Sequence, residues 1–195
     1  MSKGDLTREA VLDQAARAAS EVGLRGVTIG TLAELTQMSK SGLFAHFGSK
    51  QSLQLAILGH AREWFVDVVL RPALAAPRGE PRVWALFDGW MQWDTNVLPG
   101  GCLFVAAASE FDDEPGPVHD EVVRNQLDLV ETVARVFRSG IVEGHFRQDA
   151  DPEQFAFDMD GILLGYHIYS RLLRDPLAAQ RARGAVEALL QSARP

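Results

Sequence analysis

Hydrophobic residues recur every three to four positions along most of the chain, which is the spacing of one face of an α-helix. In the stretch from Lys50 to about Leu70, for example, Leu53, Ile57, Ala61 and Trp64 fall on one side. No segment alternates hydrophobic and polar residues with the period of two that a half-buried strand requires. The pattern therefore predicts an all-α fold with about nine helices.

Proline, glycine and capping residues indicate where these helices begin and end. Pro72 is expected to end the helix that starts at Lys50, and Pro99-Gly100-Gly101 to separate the two helices that follow. Asp151 and Asp175 are each followed by proline. Each is therefore predicted to be an N-cap with proline at the first helical position.

The segment from Thr28 to Lys50 predicts two short helices joined by a tight turn, after a first helix from Thr7 to Val22. Thr28 stands where an N-cap is expected, and Ser39 stands in the same place before the second helix. The turn covers residues 36–38. An apolar face on each helix is expected to hold the pair together, formed by Ile29, Leu32, Ala33, Leu43 and Phe47.

The second helix of this pair leaves small or basic side chains facing outward, a composition that lets a helix approach DNA closely. Lys40 and Lys50 are the expected phosphate partners, and Lys50 also starts a helix, whose free N–H groups attract anions. Base choice is expected to depend on Ser41, Thr31, methyl contacts and DNA shape. The predicted DNA-binding residues are Thr28, Thr31, Ser39, Lys40, Ser41, Gly42, Phe44, Ala45, His46 and Lys50.

The run Ser39-Lys40-Ser41-Gly42-Leu43-Phe44-Ala45-His46-Phe47, followed by Gly48-Ser49-Lys50, resembles the recognition helix of TetR-type repressors. The resemblance covers residues 7–60 and rests beyond them on helix pattern and length. It implies a helix-turn-helix DNA-binding domain over residues 1–50, completed by the start of the next helix, and a ligand-binding and dimerisation domain over residues 51–195. It also implies that His46 contacts the DNA backbone.

One position departs from the family pattern. The family usually has Tyr where this chain has Phe44, and the Tyr hydroxyl bonds a phosphate. Phe44 cannot donate that bond, so packing is its expected role.

The charge is distributed unevenly along the chain, whose net charge is −7. Residues 1–50 carry six Lys or Arg and five Asp or Glu, whereas residues 51–195 carry 13 and 21. The acidic part is expected to stay away from phosphates while the nearly neutral head approaches them. Affinity for DNA must then come from individual contacts and from two heads binding at once.

Other protein classes find little support in the sequence. A single cysteine, Cys102, excludes an intrachain disulfide, and it reads either as a thiol sensor at a helix start or as a small buried hydrophobe. No signal-like start or long apolar run occurs, so a soluble cytoplasmic protein is expected. No catalytic motif or paired metal-ligand spacing is present, so neither an enzyme nor a cofactor is expected.

Aromatic residues are concentrated between positions 84 and 104, and they have two readings. They are either ordinary core or the lining of an apolar effector pocket. Asp94 and Asn96 are polar candidates for orienting such an effector. The predicted ligand-binding residues are Trp84, Phe87, Trp90, Met91, Phe104, Phe155, Tyr166 and His167.

Two glycines four residues apart, Gly161 and Gly165, interrupt an otherwise apolar helix and predict the close approach of another helix. That helix belongs either to the same subunit or to a second copy of the chain. The second reading makes the last two helices a four-helix dimer interface. Its predicted residues are Gly161, Gly165, Tyr169, Ala182, Val186 and Leu189.

These observations favour a DNA-binding transcriptional repressor, a homodimer that binds a palindromic double-stranded operator and is released by a small apolar or aromatic effector. The alternative is an all-α ligand-binding or sequestering protein with a weak or vestigial DNA head. Phe44 and the overall acidity are the features that favour the alternative.

Overall fold

Helices make up all the regular secondary structure of the computed structural model, which describes residues 3–195, with side chains from residue 8 onward. The helices are α1 (Lys3–Val22), α2 (Ile29–Thr36), α3 (Lys40–Phe47), α4 (Lys50–Phe65), α5 (Arg71–Ala75), α6 (Glu80–Gln92), α7 (Leu103–Phe111), α8 (Pro117–Val142), α9 (Pro152–His167) and α10 (Ala178–Ala193). Three π-helical turns, Val66–Leu70, Trp93–Val97 and Ile168–Leu172, extend α4, α6 and α9. If α4 and α5 are counted as one continuous helix, the described residues form nine, which confirms the predicted all-α fold.

The chain divides into two compact units, each built from two stretches of sequence. The first unit contains residues 1–64 and 96–125, and the second contains residues 65–95 and 126–195. The predicted domain boundary at residue 50 coincides with none of the divisions between these two units, and it stays a prediction.

The core of the first unit lies among α1, α2, α3, α4 and α7. Leu24, Leu32, Leu43, Leu53 and Ile57 are fully buried there. Leu24 comes from the loop between α1 and α2 and the others from α2, α3 and α4, so burial of apolar surface holds these small helices and their loop together.

The second unit packs α6, α9 and α10 together with α5 and most of α8. Its interior includes a stack of three rings, in which Phe137 lies 4.3 Å from Phe146 and 4.0 Å from Phe155 between ring centroids. On α10, Val186 and Leu190 are fully buried.

Three predicted helix boundaries were wrong. The first helix begins at Lys3 rather than Thr7, and the Thr7 side chain lies outside the part described. Pro72 does not end the helix from Lys50, because it follows a π-helical turn and occupies the first turn of α5, where a missing N–H is tolerated. Asp175 does not cap the last helix. Its carboxylate accepts the Leu177 N–H in a turn, and α10 begins only at Ala178.

Candidate DNA interface and effector domain

The N-terminus of α2 is fixed by a reciprocal pair of hydrogen bonds. The Thr28 hydroxyl accepts from the Thr31 N–H at 3.1 Å, and the Thr28 N–H donates to the Thr31 hydroxyl oxygen at 3.0 Å. The predicted Thr28 cap is therefore confirmed. After α2, Gln37 adopts a left-handed conformation with φ of 55°, which produces the predicted tight turn.

The orientation of α3 follows from its cap and its buried face. The Ser39 hydroxyl accepts from the Gly42 N–H at 3.1 Å, which confirms the second predicted cap. Leu43 and Phe47 are buried in the first unit. Because these residues are four apart on the inner face, the opposite face of α3 points to solvent.

The exposed face of α3 consists mainly of residues predicted to touch DNA. Side chains of Lys40, Ser41, Phe44, Ala45 and His46 are exposed, and Gly42 is half-buried. On α2, Thr31 is exposed and Thr28 is half-buried. The predicted residues of α3 are thus on its solvent-facing side, and their contact with DNA stays a prediction.

Phe44 differs from its expected role. Its side chain is 59% exposed, so packing into the head cannot be its main function. The reason is its position: Phe44 immediately follows the fully buried Leu43, so it lies away from the inner face of α3.

Lys50 has a structural contact in addition to its predicted phosphate role. It is exposed, and its Nζ donates to the Arg25 carbonyl at 2.7 Å. Nearby, Gln54 Nε2 donates to the buried Leu24 carbonyl at 3.3 Å. The start of α4 therefore holds the loop between α1 and α2 from one side.

A carboxylate from α7 holds the same loop from the other side. Glu110 accepts the Leu24 N–H at 2.8 Å and the Arg25 N–H at 2.7 Å, one on each oxygen. Gly23 precedes this pair with φ of +80°, and a Cβ there would collide with the Glu110 carboxylate. The Arg25 side chain also pairs with Glu114 and lies over the Phe111 ring, 4.7 Å from its centroid. We call the two hydrogen bonds that the Glu110 carboxylate accepts from Leu24 and Arg25 the loop clamp.

The predicted effector residues separate into several environments in the second unit. Phe87 and Trp90 line a small internal void together with aliphatic residues of α6, α8 and α9. Tyr166 packs edge-on against Trp90 at 6.4 Å and shares a 2.8 Å hydrogen bond with Thr95. Phe155 belongs to the ring stack, and Met91 is half-buried.

Only Phe87 and Trp90 of the eight predicted ligand residues line the void, and Trp84 and Phe104 lie in different surroundings. Trp84 lies beneath the Arg183 guanidinium at 5.0 Å, and Phe104 is buried in the first unit. Cys102 is buried at the start of α7. Neither Trp84 nor Phe104 lines the void beside Phe87 and Trp90.

The void itself is about 10 Å³ in volume, which is room for about one water molecule. This void is too small to hold an effector as it stands, because the rings and aliphatic side chains around it are closely packed, and the predicted effector site stays a prediction. An effector that binds among these rings must first move them.

A polar pair lies inside the second unit. Asp94, which is 1% exposed, shares a 2.6 Å hydrogen bond with His167 Nδ1. Burying a carboxylate is costly unless its charge is compensated, and the imidazole supplies a partner. Asp94, which the sequence suggested as a polar group for orienting an effector, is thus hydrogen-bonded to His167.

The helix surface predicted to form a dimer carries exposed apolar residues. A Cβ at Gly161 or Gly165 would meet no atom within 4 Å, so neither glycine is required by packing within the chain. Phe157, Leu164 and Tyr169 on the same helix and its extension are exposed, Phe157 by 71%. The reading in which the glycines serve packing inside the subunit is wrong.

The α10 side of the predicted interface needs a correction. Val186 is fully buried in the protomer, so it cannot meet a second copy. Ala182 lies at a surface groove of 390 Å³ beside Gly165 and Tyr169, and Leu189 is half-buried. The predicted stripe of α10 mixed the inner face of the helix with its outer face.

Two protein-family models match the chain over most of its length. The model described as bacterial regulatory proteins, tetR family, matches residues 11–57, which span most of α1, all of α2 and α3, and the start of α4. The model described as tetracyclin repressor-like, C-terminal domain, matches residues 79–186, more than half of the chain. The chain belongs to the TetR family.

Solved structures of TetR-family regulators share the fold over the whole chain. A transcriptional regulator from Cytophaga hutchinsonii is 20% identical, with a TM-score of 0.86, covering 100% of this chain and 98% of that one. A regulator from Chloroflexus aurantiacus is 26% identical, with a TM-score of 0.86 and coverage of 98% and 96%. AibR, solved with isovaleryl coenzyme A and operator DNA, is 23% identical, with a TM-score of 0.74 and coverage of 94% and 98%. No curated protein matches the chain.

Membership of the TetR family makes this protein a ligand-responsive, DNA-binding transcriptional regulator with a helix-turn-helix head. Regulators of this family are generally not enzymes, and dimers are typical of them. Over residues 3–195, no helix is both long and apolar enough to cross a membrane. Within the same described part, no three His, Cys, Asp or Glu side chains are grouped as a metal site requires.

Proposed function

We propose that this TetR-family protein is a repressor that binds a palindromic operator as a homodimer in the cytoplasm and is released by a small apolar or aromatic effector. The observation that carries the proposal is the exposed face of α3. It presents small, basic and apolar side chains on a helix whose opposite face is anchored by Leu43 and Phe47. A helix with this surface can enter the major groove, where base edges are read.

Homodimerisation is supported by the open glycines of α9. A contact along α9 and α10 would cover Phe157 and Leu164, whose exposure to water is unfavourable, and would use the space beside Gly161 and Gly165. Two heads would then bind two half-sites centred about 34–36 Å apart. Simultaneous binding of both heads compensates for the modest positive charge of each.

Effector release requires two states of the protein with different affinities for the effector. The packed rings beside the 10 Å³ void are one state, and we propose that an effector stabilises a second state in which they have moved apart. Phe87 and Trp90 line the void, so they are the residues proposed to sense it. AibR was solved with both an acyl coenzyme A and operator DNA, and a related fold is thus able to bind both kinds of partner.

The loop clamp is the element proposed to carry this change toward the DNA. α6 continues through the π-helical turn and residues 98–102 into α7, and Glu110 of α7 holds the loop that leads into α2. A displacement of α7 along its axis would therefore move the loop or break the two hydrogen bonds. Either change alters the position of the DNA-facing helices.

The test is a gel-shift assay with duplexes enriched from genomic fragments by the purified protein. We expect specific binding that weakens as salt rises, since phosphate contacts release counterions. A candidate effector should shift tryptophan emission and release DNA over the same concentration range, because the two equilibria are linked. Effector binding in a protein that enriches no duplex would instead support the alternative sequestering function.

A further inference from the structure

The most unusual side chain on the DNA-facing surface is Phe44. Phe44 and His46 are the two exposed residues of α3 that carry rings, and Phe44, the apolar one, is 59% exposed. Ser41 lies three residues before Phe44 and four before Ala45, so Ser41 neighbours both of them on the outward side of α3. This face offers a single short hydroxyl, with an apolar ring and a methyl group.

The chemistry of the major groove decides what such a face can recognise. Phosphates and the donor and acceptor groups of base edges all need a hydrogen-bonding or charged partner, and a phenyl ring is neither. The C5-methyl of thymine is the apolar group that the groove presents, and aromatic and methyl side chains are its usual partners. The ring is also held in place, because the adjacent Leu43 is fully buried and fixes the rotation of α3.

We propose that Phe44 is a specificity-determining residue, whose ring contacts the methyl group of one thymine in each half-site of the operator. This inference rests on the proposed function, since it assigns a base to a DNA-reading helix. Ala45 completes the apolar surface around that methyl, and Ser41 is left to bond a neighbouring base. The phenyl ring therefore has a direct role in reading sequence, which a phosphate-binding hydroxyl would not have.

The experiment removes the methyl group without changing any hydrogen-bonding group of the base. A duplex enriched by the wild-type protein is synthesised with each thymine in turn replaced by deoxyuridine, symmetrically in both half-sites. The dissociation constant is then measured for the wild type, for Phe44→Ala, and for His46→Ala as the control on the same exposed surface. Circular dichroism checks that all three proteins are equally helical.

We expect one thymine position at which deoxyuridine weakens wild-type binding about fourfold per half-site, or about 15-fold for the symmetric duplex, the usual effect of one buried methyl group. Phe44→Ala should bind the two duplexes equally. His46→Ala should bind both more weakly but keep the preference for thymine.

Two results would overturn the inference while leaving the proposed function intact. One is an enriched duplex in which no thymine methyl affects binding, and the other is a thymine preference that survives in Phe44→Ala. If the wild-type protein enriches no duplex at all, the proposed function fails and the inference fails with it.

Discussion

Glu110→Gln is expected to destabilise the first unit, because it disrupts the loop clamp while preserving the shape of the side chain. The carboxylate accepts the Leu24 N–H on one oxygen and the Arg25 N–H on the other. In the glutamine variant one acceptor is replaced by an NH₂ group, which faces an N–H instead of accepting from it. The remaining hydrogen bond also loses the assistance of the charge.

The size of the effect follows from the value of these hydrogen bonds. A hydrogen bond to a charged group contributes about 1.5–3 kcal/mol, and a neutral one about 0.5–1.5 kcal/mol. Replacing two hydrogen bonds to a charged group by one neutral hydrogen bond would cost about 1.5–5.5 kcal/mol in a fully buried site. The Arg25 N–H is exposed and can be hydrated after the substitution, so we expect a net loss of about 2 kcal/mol.

The assay is thermal unfolding followed by circular dichroism, with Glu114→Gln as the matched control. Glu114 pairs with the side chain of the same Arg25, but this ion pair is exposed on both sides. A loss of about 2 kcal/mol should lower the unfolding midpoint by about 4–8 °C for a chain of this length. The exposed ion pair should contribute less than about 1 kcal/mol. If both variants unfold at the same temperature, the clamp does not stabilise the loop as its geometry indicates.

Three further predictions concern the second unit. Gly165→Leu should shift the protein toward monomer in sedimentation, because the new side chain would block the close approach of a second α9. Gly59→Leu, the control at another helical glycine with open space beside it, should stay dimeric, and equal behaviour of the two variants would refute the placement of the interface. Burial raises the pKa of Asp160, so its contribution to folding stability is fully present below the pKa of the unfolded state and is lost as pH rises through the pKa of the folded state. Asp160→Asn should therefore be more stable than the wild type in urea unfolding at pH 7, and no gain in stability at that pH would refute the burial argument. The hydrogen bond and charge of Arg194 hold the pKa of Glu80 below its usual range, so the stability that this carboxylate contributes is present above its unfolded pKa and is lost as pH falls through its lower folded pKa. Glu80→Gln should remove this part of the acid sensitivity, and an unchanged dependence of unfolding stability on pH would contradict this role of Glu80.

Local sequence signals identified the DNA-binding head because the information it needs is local. Thr28 and Ser39 act as caps through residues three positions away, and Leu43 and Phe47 orient α3 by helical periodicity. The long-range contacts left no such signal. Glu110 lies 86 residues from Leu24, and nothing in its neighbourhood indicates that it holds the α1–α2 loop.

The predicted effector residues also depend on long-range packing that the sequence does not indicate. A cluster of aromatic residues on α6 is visible in the sequence, but whether it encloses a pocket depends on how the side chains of α8 and α9 fill the space. Leu129, Val133 and Met159 contribute to the wall of the void and were not among the predicted residues. Periodicity gave the helix faces of α9 more accurately than those of α10, where small residues on both sides made the inner face difficult to distinguish.

The most direct test of the account is enrichment of genomic duplexes by the wild-type protein, compared with a Lys40→Ala variant. Lys40 is exposed at the first turn of α3, so its replacement should remove a phosphate contact without disturbing the core. We expect the wild type to enrich a palindrome whose half-site centres are about 34–36 Å apart. Lys40→Ala should bind this duplex more weakly, with a salt dependence shallower by about one unit. Enrichment of no sequence by the wild type, or equal binding and salt dependence in the variant, would contradict recognition of DNA by α3.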